Sequence, residues 1–499
     1  MQLTYKVKEK PPVPQLLLFA LQQLLAILAA TIAVPLIIGN DMSTSAALFG
    51  AGVGTIVYLL FTQFKSPVFL GSSFAFLGSM ATAFAGATTM ALGYLGLIIG
   101  AIFAGLVYVI IAIIVKFAGV KWIDKIMPAV VIGPTVAIIG LSLAGNAVGD
   151  LMSGSVFKDV VNEQVIEHIV DGETVKETFL VPGSQMMCSP YIALLCGLVT
   201  LGVTVACSVY GKKLIKMIPF ILGILAGYAV AAIFTGFSYI EGAEALRVID
   251  FSLFNNMQWY PDFAFVSAIG DLGEPAKIGT YIGTIAVAYI PVAFVVFAEH
   301  IADHKNISSI IETDLLKDPG LSRTLLGDGI GSMAGAIFGG CPNTTYGESV
   351  GCVAISGNAS VVTIFVTALM AIICAFLAPF TTFLASIPKC VMGGVCIALY
   401  GFIAVSGLKM IQNVDLGDNK NLFVVSVILI AGVGGMALSF GEVTVTEVAC
   451  ALILGILTNL LVNIKGKDKH DGEQITIEEV EEETNKVSEE KTEETNEGV

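Results

Sequence analysis

Apolar runs of about 17–25 residues follow one another along most of this chain, and no other feature limits its fold as strongly. A run of that length crosses the hydrocarbon of a bilayer only as an α-helix, because every backbone N–H and C=O must be satisfied without water. The runs predict an all-α polytopic membrane protein in contact with the lipid bilayer. Of the 499 residues, 56% are hydrophobic and 13% charged, with a mean hydropathy of +0.86. A soluble chain is about a quarter charged.

The pattern predicts about fourteen spans, near 14–38, 46–63, 68–86, 92–115, 127–148, 190–210, 217–236, 280–299, 324–340, 343–356, 359–379, 388–406, 421–438 and 443–464. If the N-terminus is cytoplasmic, Lys and Arg on that side outnumber those on the other by about four to one. That bias predicts an even number of spans with both termini inside. Two polar stretches, about 149–189 and 237–279, then lie outside. In the first, VIEHIVDGETVKETFLV alternates around Asp171-Gly172 and predicts a β-hairpin.

The termini and the cysteines exclude several classes. The N-terminus is too charged, and the apolar stretch after it too long, for a cleaved signal peptide. From Lys465 onward, thirteen Asp or Glu and five Lys carry eight of the fifteen net negative charges. This segment lacks hydrophobic periodicity and reads as an acidic, disordered cytoplasmic tail, not a basic arm for nucleic acid. The nine cysteines are scattered, mostly in apolar runs, and the four histidines are dispersed apart from His300 and His304. No metal site or cofactor is expected. The absence of a nucleophile–base pair, metal cluster or phosphate loop speaks against an enzyme.

Two predicted spans are weak as helices. The third contains GSSFAF, Gly71 to Phe76; the tenth is built on CPNTTYGESVG, Cys341 to Gly351. They lie seven spans apart. Seven is odd, so two halves of seven would be inverted relative to each other, with broken segments in matching positions. Irregular backbone survives at membrane depth only when buried in protein or lining a cavity, and an acid there marks a site. Glu348 is such an acid. Pro342 removes one N–H at a helix start, and Asn343, Thr344 and Thr345 can cap exposed backbone groups.

The other acids near or within spans are Glu299, Asp303, Asp328, Glu442 and Glu447. Glu299 ends the apolar run YIPVAFVVFAEH, and Asp303 follows on the same helical face. The two carboxylates repel when both ionise, so one is a candidate to hold a proton. His300 and His304 form a second i,i+4 pair, turned about 100° from the first. Asp328 lies in the Gly-rich LLGDGIGSMAGAIFGG. Glu442 and Glu447 open the last span and read as interfacial. Carboxylates that accept and half-helix ends that donate suit a neutral planar molecule with alternating N–H and C=O, such as uracil or an oxopurine. A strong anion would be repelled.

At these residues the chain resembles the nucleobase–ascorbate transporter family, and within it the bacterial uracil permeases. The resemblance covers nearly all of the chain to about residue 464. It rests on GSSFAF, AEHI (Ala298–Ile301), DPGLSRTLLGDGIG (Asp318–Gly331) and PNTTYGESVG (Pro342–Gly351). It implies proton-coupled uptake of uracil across the plasma membrane, fourteen spans in a seven-plus-seven inverted repeat, and short strands in broken spans 3 and 10. Residues 1–13 would be a cytoplasmic N-terminus, 14–126 and 280–384 a core domain of spans 1–4 and 8–11, 127–279 and 385–464 a gate domain of spans 5–7 and 12–14, and 465–499 the tail. Glu299 and Glu348 would bind substrate with backbone groups of Phe74 and Gly347, and Tyr346 would line the pocket. Glu299, Asp303, His304 and Asp328 would serve proton coupling, and a homodimer is implied. A xanthine, uric acid or broader purine permease of the same family is the alternative, and an anion transporter of the same fold a more distant one. Two departures stand out. The first-span motif, usually Gln-His, is Gln22-Gln23, and Asp303 stands where a histidine often lies four residues after the first glutamate.

Overall fold

The computed structural model describes residues 3–119, 122, 127–170, 173–212, 214–273, 275–412, 414–440 and 443–463. The chain is a polytopic, predominantly helical membrane protein. Among the described residues, eight helices are long and apolar enough to cross a bilayer, and nine if one bent pair is a single span; shorter apolar helices accompany them.

The first part holds α1 (Val13–Ile38), α2 (Thr44–Phe61), β1 (Leu70–Ser72), a 3-10 turn at Phe74–Phe76, α3 (Leu77–Ala85) and α4 (Met90–Ala118). Then come α5 (Ala129–Ser142), α6 (Ala144–Leu151), the strands β2 (Phe157–Val170) and β3 (Glu173–Met186), α7 (Pro190–Tyr210) and α8 (Pro219–Phe237). The second part holds α9 (Pro275–Ile311), α10 (Leu321–Gly339), β4 (Asn343–Thr345), α11 (Gly347–Ser356), α12 (Val361–Cys374) and α13 (Ala378–Ala385). The chain continues with α14 (Lys389–Met410), α15 (Asn419–Val433), β5 (Leu438–Phe440), β6 (Val443–Val445) and α16 (Glu447–Asn463). Local chemistry sets several starts. Ser43 Oγ accepts from Ala46 N at 3.2 Å ahead of α2, and Thr89 Oγ1 from Leu92 N at 3.1 Å ahead of α4. Pro190 and Pro219 open α7 and α8, where a missing N–H leaves no bond unmade.

The structure differs from the sequence pattern in two helices. The run expected to end at residue 299 continues as α9 to Ile311, a helix of 37 residues. At 1.5 Å per residue that is about 55 Å, well beyond the ~30 Å of bilayer hydrocarbon. Its polar stretch stays helical because it is enclosed: His300 and His304 are 0% exposed and Asp303 is 8% exposed. The run expected at 359–379 is instead two helices, α12 and α13, bent by 85°. Pro379 has no N–H, and its ring would clash with the carbonyl of Ala375 in a continuous helix.

The expected hairpin is present as β2 and β3, paired antiparallel from Phe157↔Met186 to Val170↔Glu173. Its expected turn, Asp171-Gly172, lies outside the described residues, as do Glu442 and the acidic tail at 465–499. The polar stretch expected at 237–279 is shorter than that, since α9 already begins at Pro275; among the described residues between α8 and α9 lie short helical turns at Glu244–Leu246, Phe251–Asn256 and Ala264–Ser267.

Helices meet through small residues. α10 packs on both α2 and α4. A Cβ on Gly331 would stand 2.7 Å from Gly54 O, and one on Gly54 would stand 2.7 Å from Gly331 O, so the two backbones touch directly. α14 meets α5 the same way: a Cβ on Gly407 would lie 2.3 Å from Ala137 N. In lipid such close packing replaces the hydrophobic drive that holds soluble helices together.

Candidate functional site

β1 and β4, which come from the two broken segments, pair antiparallel: Leu70↔Thr345, Gly71↔Thr344 and Ser72↔Asn343. Two further bonds extend the ladder, Ser73 N to Pro342 O at 2.9 Å and Tyr346 N to Phe69 O at 3.2 Å. Side chains of α2 and β4 satisfy nearby backbone. Thr55 Oγ1 accepts from Leu70 N at 2.9 Å and donates to Leu70 O at 3.2 Å. Asn343 Nδ2 donates to Gly50 O at 3.0 Å. This pairing explains how non-helical backbone survives inside the protein. Each strand leads into a helix start, so the N–H groups of Phe74 and Gly347 lie close to one buried sheet.

Tyr346 is buried, and its hydroxyl donates to Ser72 O at 2.7 Å. Its ring covers Gly71, where a Cβ would stand 2.3 Å from Tyr346 Cε2; only glycine fits beneath it. Gly347 is exposed and Glu348 partly exposed, although Thr345, Tyr346 and Ser349 on either side are buried. Glu299 is partly exposed in the same way, between buried Ala298 and His300. These groups face space inside a packed region. α9 contacts β4, α11 and the 3-10 turn carrying Phe74, so the helix of Glu299 touches both the element of Glu348 and that of Phe74. Asp303 ties them together: Thr345 Oγ1 donates to its Oδ2 at 2.9 Å, and its Oδ1 lies 3.8 Å from the position a Gly347 Cβ would take.

The other face of α9 is a separate buried set. His300 Nδ1 lies 2.7 Å from Asp328 Oδ2, His300 Nε2 shares a 3.0 Å bond with Thr324 Oγ1, and Thr324 Oγ1 also lies within bonding distance of Leu321 O at 3.0 Å. His304 Nδ1 donates to His300 O at 2.8 Å, and its Nε2 shares a 2.7 Å bond with the Tyr58 hydroxyl. The two imidazoles stack with centroids 3.9 Å apart. Asp328 and His304 therefore bond to the second face, one step behind Glu299 and Asp303.

Sequence reasoning passed over Tyr58 and Tyr400, and it marks Gln23 only as a departure from the family motif, without its partner. Gln23 on α1 is buried and donates through Nε2 to Ser349 Oγ at 2.5 Å, while Ser349 Oγ also accepts from Phe69 N at 3.1 Å. Tyr400 on α14 packs edge-on to Phe74, with centroids 5.8 Å apart. Tyr58 holds His304. A buried amide in an apolar span was the one available signal, since such groups seek partners across helices. Among the described residues, no group of three or more His, Cys, Asp or Glu could hold a metal ion.

A family model described as "Permease family" matches residues 14–175 and 172–440. The chain belongs to this permease family. It is a membrane transporter, not an enzyme. The chain is 36% identical over 461 residues to the uracil permease of Bacillus caldolyticus, covering 91% of this chain and 94% of that one. It is 33% identical over 460 residues to the uracil permease of Escherichia coli (strain K12), covering 92% and 94%. Among solved structures, the transmembrane domain of a cyanobacterium bicarbonate transporter, BicA, aligns with a TM-score of 0.56 at 14% identity, over 92% of this chain and all of that one. At that identity the likeness concerns the fold alone.

Proposed function

We propose that this permease takes up uracil across the plasma membrane in symport with protons. The observation that carries this reading is the pair of partly exposed carboxylates, Glu299 and Glu348, on two elements in contact beside the β1–β4 sheet. They accept from the ring N–H groups, while the backbone N–H groups of Phe74 and Gly347 donate to the ring carbonyls, and Tyr346 closes one wall. Asp303, one turn from Glu299 and bonded to Thr345, shares the proton load with it. Asp328, through His300, and His304, through Tyr58, fix the helix that carries both. The relatives with that printed activity align over about nine-tenths of this chain, which supports the same substrate here.

The proposed architecture is fourteen spans in a seven-plus-seven inverted repeat with both termini cytoplasmic. Its support is the matching strand-then-helix pattern of β1 with α3 and β4 with α11. α1–α4 and α9–α13 form the proposed core, 14–126 and 280–384. The proposed gate, 127–279 and 385–464, holds α5–α8 and α14–α16. The preference of α10 for α2 and α4, and of α14 for α5 and α7, supports that division. The assembly is a homodimer in this reading, on the strength of the family resemblance.

The test is Glu348→Ala. It abolishes uracil binding and uptake while the protein still reaches the membrane. Tight uracil binding by that variant would remove Glu348 from the site. Competition of labelled uracil by excess xanthine separates the purine reading: uracil is displaced by unlabelled uracil and not by xanthine.

A further inference from the structure

A cavity of about 570 Å³ with a mixed apolar and polar lining lies apart from Glu299 and Glu348. Small-molecule sites occupy roughly 300–1,000 Å³. One wall comes from Asn40, after α1, and from Gly78, Ala81 and Phe84 on α3; the other comes from Asn146 on α6 and Glu447 at the start of α16. The two walls thus belong to the proposed core and the proposed gate, so the cavity sits where relative motion of those parts would open or close a path.

The cavity runs along one face of α3. Its mouth lies near Asn40 and Ala85, where α1 and α3 end, on the face opposite the N-terminus. Its inner end is at Leu77 and Gly78, directly after the turn that carries Phe74. Glu447 Oε1 lies 3.8 Å from the position of a Gly78 Cβ, so the carboxylate stands at the inner end. Glu447 is partly exposed, while Thr446 and Val448 beside it are buried, so it faces this opening. The polar groups repeat the chemistry of the central site. A carboxylate accepts N–H, two side-chain amides each offer a donor and an acceptor, and the Phe84 ring and aliphatic walls accommodate a flat face. An anion would be repelled by Glu447, and a charged cation meets only one carboxylate in this lining.

We propose that this cavity is an outer relay site, in which Glu447, Asn40 and Asn146 hold a neutral nucleobase before it passes α3 to Glu299 and Glu348. The proposal rests on the uracil reading above. Labelled uracil is used as the probe, with uptake kinetics in membranes and equilibrium binding to detergent-purified protein measured on the same variants. Glu447→Gln raises the uptake KM about tenfold and leaves the equilibrium Kd within about twofold, because only capture from outside is impaired. Ala81→Trp fills the cavity and reduces uptake at low uracil by about tenfold or more, again with binding preserved. Glu447→Asp restores most of the capture. An unchanged uptake KM in Glu447→Gln together with normal uptake by Ala81→Trp would overturn the relay. So would loss of equilibrium binding in parallel with uptake, which would place Glu447 in the central site or in the fold. Absence of uracil binding by the unsubstituted protein is a separate result: it overturns the uracil reading itself.

Discussion

Gln23 is a neutral amide at a position where the resembled family usually carries histidine, and its surroundings explain how the amide serves. Its Nε2 bonds to Ser349 Oγ at 2.5 Å and lies 3.4 Å from Ser349 O, and Ser349 directly follows Glu348. Ser349 Oγ in turn accepts from Phe69 N, just before β1. One side chain therefore joins α1 to both broken segments. Gln23→Leu removes the only donor in this arrangement that comes from α1. The expected result is uracil binding weakened about tenfold, or ~1.4 kcal/mol. Thermal stability in detergent falls by about 1 kcal/mol, the scale of one buried bond between membrane helices. Gln23→His keeps an N–H and stays near wild type. Wild-type affinity in Gln23→Leu, measured by equilibrium binding, would show that α11 needs no such anchor. The same residues show what a sequence reveals. Glu299 and Glu348 stand out because an acid in an apolar run is costly. Gln23 is legible as a departure from the family motif, but its bond to Ser349 is not, because the two are 326 positions apart and Ser349 alone is an ordinary polar residue. Asp328 and His300 were both conspicuous, but only the fold shows that they bond to each other.

Between elements, the legible part is where the chain cannot be a plain helix. GSSFAF and PNTTYGESVG announce a break through small, capping and helix-breaking residues, and the breaks are there as β1 and β4. Their mutual pairing was not legible, because three-residue strands carry no alternation from which a register could be read. The stop at Pro379 follows from its missing N–H; the 85° angle depends on packing. The extension of α9 to Ile311 was missed because hydropathy ends at Glu299, whereas hydrogen bonds to His300, Asp303 and His304 compensate the polar residues beyond it. Helix contact through glycine is testable at this scale. Gly331→Ala forces a methyl to within 2.7 Å of Gly54 O and 2.8 Å of Leu70 Cδ1, so α10 must move away from α2 and β1. The expected loss is about 2 kcal/mol of stability, as for overpacked interiors. Gly401→Ala, whose Cβ meets nothing within 4 Å, is the control and leaves the melting temperature unchanged. Equal melting temperatures for the two variants would mean that α10 and α2 do not meet as closely as this geometry requires.

For the molecule as a whole, the proposed uptake raises the question of what energy moves a neutral base inward. Several carboxylates converge on the proposed site: Glu299, Asp303 and Glu348 stand on contacting elements, and Asp328 lies behind them, bonded to His300. In the proposed division, core and gate shift against each other to expose such a site alternately to the two sides. Carrying several ionised carboxylates through an occluded state is costly, since each is stripped of water without a matching cation. A proton taken up with the base lowers that cost, and its release on the other side resets the site. The sign follows directly. In the proposed symport protons enter with uracil, so an acidic exterior adds driving force, about 1.4 kcal/mol per pH unit for each proton, or a tenfold gain in accumulation. In proteoliposomes, acid outside accelerates uracil uptake and drives it above equilibrium, alkali outside slows it, and a protonophore brings accumulation down to equilibration. Asp303→Asn, which preserves a partner for Thr345 but cannot hold an exchangeable proton, is expected to keep exchange of internal for external uracil while losing accumulation. Uptake that ignores the pH gradient in the unsubstituted protein would break the link between these carboxylates and transport energy. Accumulation retained in Asp303→Asn would leave Glu299 to carry the proton without its neighbour.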